Sequence, residues 1–335
     1  MASIEPTSAI QSYTESMLPH VSRTFALTIP SLRQPLRQEV GLAYLLCRVA
    51  DTIEDHPEID RTKRDFLLGK FLDFAKAPAE SKPWNAFLDA WPSLESKHHE
   101  DLVTHTPELL AGLDELSEKP AHAIRECLEE MCFGMMTFEG RQSGRVVTVC
   151  EDPDQLEFYC HIVAGTVGIL LTRLFAGTMG SNDWASATCL ERGRRFGLGL
   201  QLTNILKDHE SDKERGVSYL PPKYLVGGEA GAAMSVDGSK KLLDRTLGHL
   251  RAGLDYIQSI PVENRDMRLF CVYAHHMALA TLAEIGGSKP GGRKKISRER
   301  VESLVSRAQS VVDTPDELAQ TTELLFDQVA MHIIG

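Results

Sequence analysis

Tyr44-Leu-Leu-Cys-Arg48-Val-Ala-Asp51-Thr-Ile-Glu54-Asp55 is the stretch from which the fold is read. Tyr44, Arg48, Asp51 and Asp55 are separated by four, three and four residues, the spacing that stacks side chains on one face of an α-helix. Around them stand Val40, Leu42, Ala43, Leu45, Leu46, Val49 and Ala50, so the polar stripe lies on an otherwise apolar helix. Two carboxylates in that setting repel each other and lose hydration unless a cation compensates them. A bound metal is one such cation. Arg48 is another, paired with Asp51 or Asp55 along an ordinary amphipathic helix. This segment by itself leaves both readings open.

A second stretch, Gln201-Leu-Thr-Asn204-Ile-Leu-Lys207-Asp208-His-Glu-Ser-Asp212-Lys-Glu-Arg215-Gly216, repeats the pattern. Gln201, Asn204, Asp208 and Asp212 are spaced by three, four and four and follow the apolar run from Phe196. Two helices therefore each carry an i, i+4 aspartate pair. Oxygen ligands from Asp and Asn suit Mg²⁺ or Mn²⁺ and suit zinc poorly. If the two faces meet across a cavity, they can hold metal ions whose remaining positions are filled by diphosphate oxygens, as bundles build metal sites from facing helices. Arg48, Lys207 and Arg215 would add positive charge for a departing anion.

Outward from these stretches, apolar residues recur at three- and four-residue spacing and strict alternation is scarce. The periodicity predicts an all-α chain with helices over 34–55, 62–76, 98–115, 121–138, 154–178, 184–212, 237–258, 265–285 and 316–333. Breakers separate them, among them His56-Pro57, the stretch 77–83, Gly140 to Gly144, Met179-Gly180, Pro221-Pro222 and Gly286 to Gly292. No linker is long enough to divide the chain. One helical bundle domain over 1–335 is expected, with residues 1–18 and the extreme C-terminus peripheral.

The formal charge of −11 over 335 residues argues against general nucleic-acid affinity, which needs a basic surface to displace counterions. Seven cysteines, an odd number with no Cys-x-x-Cys, argue against a disulfide framework or zinc site and for a reducing, cytoplasmic setting. The N-terminal residues lack the basic and apolar regions of a secretory signal. The apolar run Ile162 to Thr172 stops at Arg173 after about half the ~20 residues of a membrane span, so no transmembrane anchor is expected.

The paired Asp-x-x-x-Asp motifs resemble those of the trans-prenyl diphosphate synthases, and the finer match is to the squalene and phytoene synthase family, its squalene-forming branch above all. Ser22-Arg23-Thr24-Phe25 is similar to that family's N-terminal Ser-Arg-Ser-Phe segment, and residues 44–55 and 201–212 to its two metal motifs. The central segment from Tyr159 to Phe175 and the later one from Phe270 to Leu282 resemble two further family helices. Departures are Thr24 for serine, His56 for an acidic residue, Lys207 for arginine, and Ala274-His275 for a Pro-Gln pair.

The resemblance implies an isoprenoid-synthase helical bundle and a Mg²⁺-dependent (or Mn²⁺-dependent) transferase joining two molecules of farnesyl diphosphate. It implies metal binding by Asp51, Glu54, Asp55, Asp208 and Asp212, and diphosphate binding by Ser22, Arg23, Arg48, Gln201, Asn204, Lys207 and Arg215. Tyr159, supported by Tyr44, would handle a proton or stabilise a cation. Phe25 and Phe270 would offer aromatic faces to a carbocation. Each of these has a plainer reading: Tyr159, Phe25 and Phe270 as core, Ser22 as a helix cap. Gly292-Arg293-Lys294-Lys295-Ile-Ser-Arg298 resembles the basic NADPH-contacting region of squalene synthases, which favours a reductive ending, and also reads as a solvated loop before a helix starting at Ser297. His161 and His275-His276 read as structural. Peripheral membrane contact for product release is also implied. Alternatives of the same chemistry end in dehydrosqualene, phytoene or hydroxysqualene without a hydride; outside it stands an inactive helical binding protein of the same fold.

Overall fold

A computed structural model describes residues 6–22, 24–76, 84–143, 146–287 and 295–334, which fall into two compact units. The first comprises the described residues up to Thr137 together with Leu170–Ala185. Its centre is α3 (Leu36–Glu54), packed by α1 (Pro6–Val21), α4 (Arg61–Lys76), α6 (Lys97–Thr104), α7 (Thr106–Glu115) and α8 (Glu118–Thr137). Short helices α2 (Phe25–Thr28) and α5 (Trp84–Ala90) complete it. Packed on most of its circumference, α3 is apolar nearly all round, as a largely buried helix must be. It ends where Pro57 approaches, since the residue before a proline is disfavoured in the α region.

The single helix expected over 98–115 is two helices, broken at His105. Pro107 lies in the first turn of α7, where a missing N–H is harmless, whereas within a continuous helix it would remove a ladder bond. Helix α1 was not among the expected segments.

The second unit comprises Phe138–Ile169 and Ser186 onward. A small sheet pairs β1 (Arg141–Ser143) antiparallel to β2 (Val146–Thr148) and β2 parallel to β3 (Val217–Ser218). Strands this short carry no readable alternation. Asp152 caps α9 (Pro153–Cys160) by accepting from Asp154 N and Gln155 N, both at 2.9 Å. A π-helical turn, His161–Gly165, joins α9 to α10 (Thr166–Met179). By length and composition Pro153–Met179 could cross a membrane, yet part of its apolarity has a packing cause. It touches α11 (Ala187–Glu214) backbone to backbone: a Cβ added at Gly168 would lie 2.0 Å from Gly193 O, and one at Gly197 2.2 Å from Ala164 O. Helices α12 (Val236–Ser259), α13 (Arg265–Gly287), α14 (Arg298–Val311) and α15 (Pro315–Ile334) follow, with α12 and α13 packed on α11.

Candidate active site

On α3, every residue from Glu39 to Ile53 is buried except Tyr44, Arg48 and Asp51. The stripe read from the sequence is therefore the one open line on an enclosed helix, continued by half-buried Glu54 and exposed Asp55. Arg48 Nη1 lies 3.6 Å from Asp51 Oδ2, so the intrahelical pairing is present. It does not neutralise the group of carboxylates. Burial, followed by the neighbouring Asp55, raises Asp51 to about 7 against the pull of Arg48, although its side chain keeps 32% of its surface exposed. Glu54 is pushed well above the carboxylate range by burial, then by Asp55 and Asp51, and Arg64 offsets little of this. Acids this crowded fit a site that gains from a further cation.

Tyr44 donates to Val21 O at 3.2 Å, and burial pushes it up to about 12. Its proton is committed to the backbone, and its ring lies against Phe25 at 4.8 Å. Ser22 Oγ accepts from Phe25 N at 2.9 Å, bracing the chain just before α2, whose N-cap position is Thr24. His56 is buried; its Nδ1 accepts from Glu58 N at 3.1 Å, leaving Nε2–H for Pro92 O at 3.1 Å. It closes the turn after the stripe from a buried position.

On α11, Lys207 Nζ donates to Asn204 Oδ1 at 3.0 Å and lies 3.1 Å from Asp208 Oδ2. Two of the expected oxygen ligands thus already converge on one cation. Asp212 is buried, 6% exposed, and its Oδ1 accepts from Arg215 Nη2 at 2.6 Å. Gln201 is half-buried on the same face. The helix stops immediately afterwards at Gly216, whose φ of +81° suits glycine. Beyond it, Tyr219 lies 4.9 Å from the buried ring of Tyr159, which Phe138 meets edge-on at 5.2 Å. Phe270 is buried in α13.

Among the described residues, no three His, Cys, Asp or Glu side chains are gathered closely enough to hold a metal ion by themselves. On each helix a carboxylate leans instead toward a cation of its own chain. On each helix the donors are nevertheless all oxygen and partly shielded from water, which fits magnesium or manganese bound jointly with a ligand's oxygens.

Of the basic stretch, Lys295 is exposed, and Arg298, its side chain 93% exposed, is paired with Glu302 at 3.1 Å. Arg23, Arg293 and Lys294 lie outside the described residues. Sequence reasoning missed His99, which contacts Arg48 across 51 residues, along with Arg64 and Tyr219; only Tyr219, just past the second stripe, carried a nearby signal.

A sequence profile of squalene/phytoene synthase matches residues 18–300. The chain belongs to that family. The squalene/phytoene synthase resemblance thus covers both carboxylate stripes. The chain is similar to the squalene synthase of Mus musculus, 31% identical over 276 residues, which is 79% of this chain and 61% of the mouse protein. It therefore spans about three-fifths of that relative's length. The Homo sapiens squalene synthase is 28% identical over 93% of this chain and 73% of its own. In fold the chain is similar to TcSQS in complex with the ligand BPH1237, with a TM-score of 0.74, 21% identity and coverage of 97% of this chain and 98% of that one. It is also similar to a dehydrosqualene synthase in complex with ligand, with a TM-score of 0.62, 20% identity and coverage of 92% and 100%.

Proposed function

We propose that this chain is a squalene synthase, joining two farnesyl diphosphates through presqualene diphosphate and ending, with NADPH, in squalene. The observation that carries the reading is the α3 surface, where Tyr44, Arg48 and Asp51 alone are left open on a helix otherwise buried from Glu39 to Ile53. Asp51, Glu54 and Asp55 on α3, and Asp208 and Asp212 with Asn204 on α11, are the residues that would hold magnesium. When bound, the metal supplies Lewis-acid stabilisation of a departing diphosphate. The chain's own contribution is positive charge close to those carboxylates: Arg48 beside Asp51, Lys207 beside Asp208, Arg215 beside Asp212. An anionic leaving group competes with the carboxylates for these cations, which makes their hydrogen bonds charge-assisted.

Departure of diphosphate leaves an allylic cation, which the double bond of the second substrate attacks, and loss of a proton closes the cyclopropane. Tyr159, held between Phe138 and Tyr219, offers an aromatic face to such a cation. A phenol with an ordinary pKa near 10 is a weak base, so released diphosphate is the better proton acceptor. Of the basic stretch that would meet the nucleotide, Lys295 is exposed and Arg298 is paired with Glu302. The reductive ending is supported by the squalene synthase relatives.

Gas chromatography of products made from farnesyl diphosphate and Mg²⁺, with and without NADPH, tests the reading. Presqualene diphosphate without the nucleotide and squalene with it are expected. Dehydrosqualene, phytoene or hydroxysqualene formed equally under both conditions would overturn the reductive ending, and no product from farnesyl diphosphate would favour a binding protein.

A further inference from the structure

We infer that His99 is a positioning residue: by accepting a hydrogen bond it holds the Arg48 guanidinium in place for the diphosphate group of a ligand. The inference rests on the diphosphate chemistry proposed for the α3 stripe. His99 lies on α6, and its Nε2 is 3.2 Å from Arg48 Nη2. A guanidinium only donates, so Nε2 must offer its lone pair, which puts the ring's proton on Nδ1. Burial, with Arg48 adding to it, lowers the imidazole's pKa and keeps it in that neutral form.

The other contacts of Arg48 make this one decisive. Its Nη1 is 3.6 Å from Asp51, itself a candidate metal ligand, and its Nε is buried without a partner. Among the described side chains, His99 is thus the one partner that Arg48 keeps when Asp51 is drawn to a metal. The helix that carries the ring is also firmly placed. Next to His99, Glu100 accepts from Trp91 Nε1 at 3.1 Å and from Leu94 N at 3.0 Å, and Asp101 accepts from Tyr13 OH at 3.1 Å. Two neighbouring carboxylates anchor α6 on either side, so the acceptor stays in register with a long, flexible cation whose free rotation would oppose anion binding.

Two variants separate positioning from packing. His99→Leu fills similar space without an acceptor, and His99→Gln restores one. Binding of inorganic diphosphate in the presence of Mg²⁺, measured by calorimetry, should weaken about tenfold in His99→Leu, and His99→Gln should recover most of the affinity; kcat/KM for farnesyl diphosphate should follow the same order. A half-buried packing residue would instead tolerate Leu better than Gln. No diphosphate binding by the wild type, unchanged affinity in His99→Leu, or His99→Gln as weak as His99→Leu overturns the inference. If the diphosphate series holds and the wild type leaves farnesyl diphosphate unconsumed, positioning stands and prenyl transfer falls. If farnesyl diphosphate is consumed equally by all three proteins, prenyl transfer stands and positioning falls.

Discussion

Lowering the pH from 7 to 5 will remove the stability contributed by His275 and His276, which are 0% and 1% exposed within α13. His275 Nε2–H donates to Leu250 O at 2.7 Å. His276 Nε2 is 2.9 Å from Thr322 Oγ1, whose own proton goes to Leu318 O, so this ring also donates from Nε2. Each Nδ1 is buried without a partner, and protonation there would create a donor with nothing to accept it. Burial accordingly lowers the two rings to about 4 and about 3. In the unfolded chain both titrate near an ordinary ~6.5, so below that pH the unfolded state binds more protons. The stabilising contribution is complete above pH ~6.5 and is lost as the pH falls toward the folded values. At about 1.4 kcal/mol per pH unit and ring, the pair loses on the order of 4 kcal/mol at pH 5, a large part of a typical 5–15 kcal/mol. Urea unfolding at pH 7 and pH 5 measures it, compared with His275→Gln, whose amide can still donate to Leu250 O. Relative to the wild type, the variant should be about 2 kcal/mol better off at pH 5 than at pH 7. Asp51 and Glu54, raised in the folded state, act with the opposite sign in both proteins and cancel in the difference. Equal losses in the two proteins would refute the assignment.

Two further outcomes follow from the packing. Tyr159→Phe should keep binding farnesyl diphosphate and lose most cyclopropane formation, read as presqualene diphosphate accumulated without NADPH; unchanged formation would leave Tyr159 a core residue beside Phe138 and Tyr219. Gly197→Ala should cost at least ~2 kcal/mol, read as a fall in Tm, because its methyl would meet the Ala164 carbonyl at 2.2 Å and backbone cannot rotate aside. Gly177→Ala is its control, with nothing within 4 Å, and should be neutral or stabilising by up to ~1 kcal/mol.

The helical class and the two stripes were legible because both depend on spacing within one helix. That is why Arg48–Asp51 was readable as a candidate ion pair, whereas the pairing of Arg215 with Asp212 was not foreseen. What escaped the reading depends on distance along the chain or on elements too short for a period. His99 reaches Arg48 across 51 residues, and β3 is two residues whose partner strand lies some seventy positions earlier. The break at His105 turns on Pro107, whose place in a first turn looks the same in sequence as a place inside a helix. The π-helical turn at His161–Gly165 sits inside an unbroken apolar run. Ser22 offered two roles in sequence, and its contact with Phe25 N depends on where α2 begins.

The central claim, that carboxylates on α3 and α11 govern metal-dependent diphosphate departure, is tested most directly by diphosphate release from farnesyl diphosphate in Mg²⁺ and in EDTA, for the wild type, Asp51→Asn and Asp208→Asn. Both variants keep side-chain shape while removing charge. The account predicts release by the wild type in Mg²⁺, none in EDTA, and at least a hundredfold slower release by each folded variant, equivalent to about 2.7 kcal/mol of barrier. Release that persists in EDTA, or near-normal turnover in both variants, would contradict it.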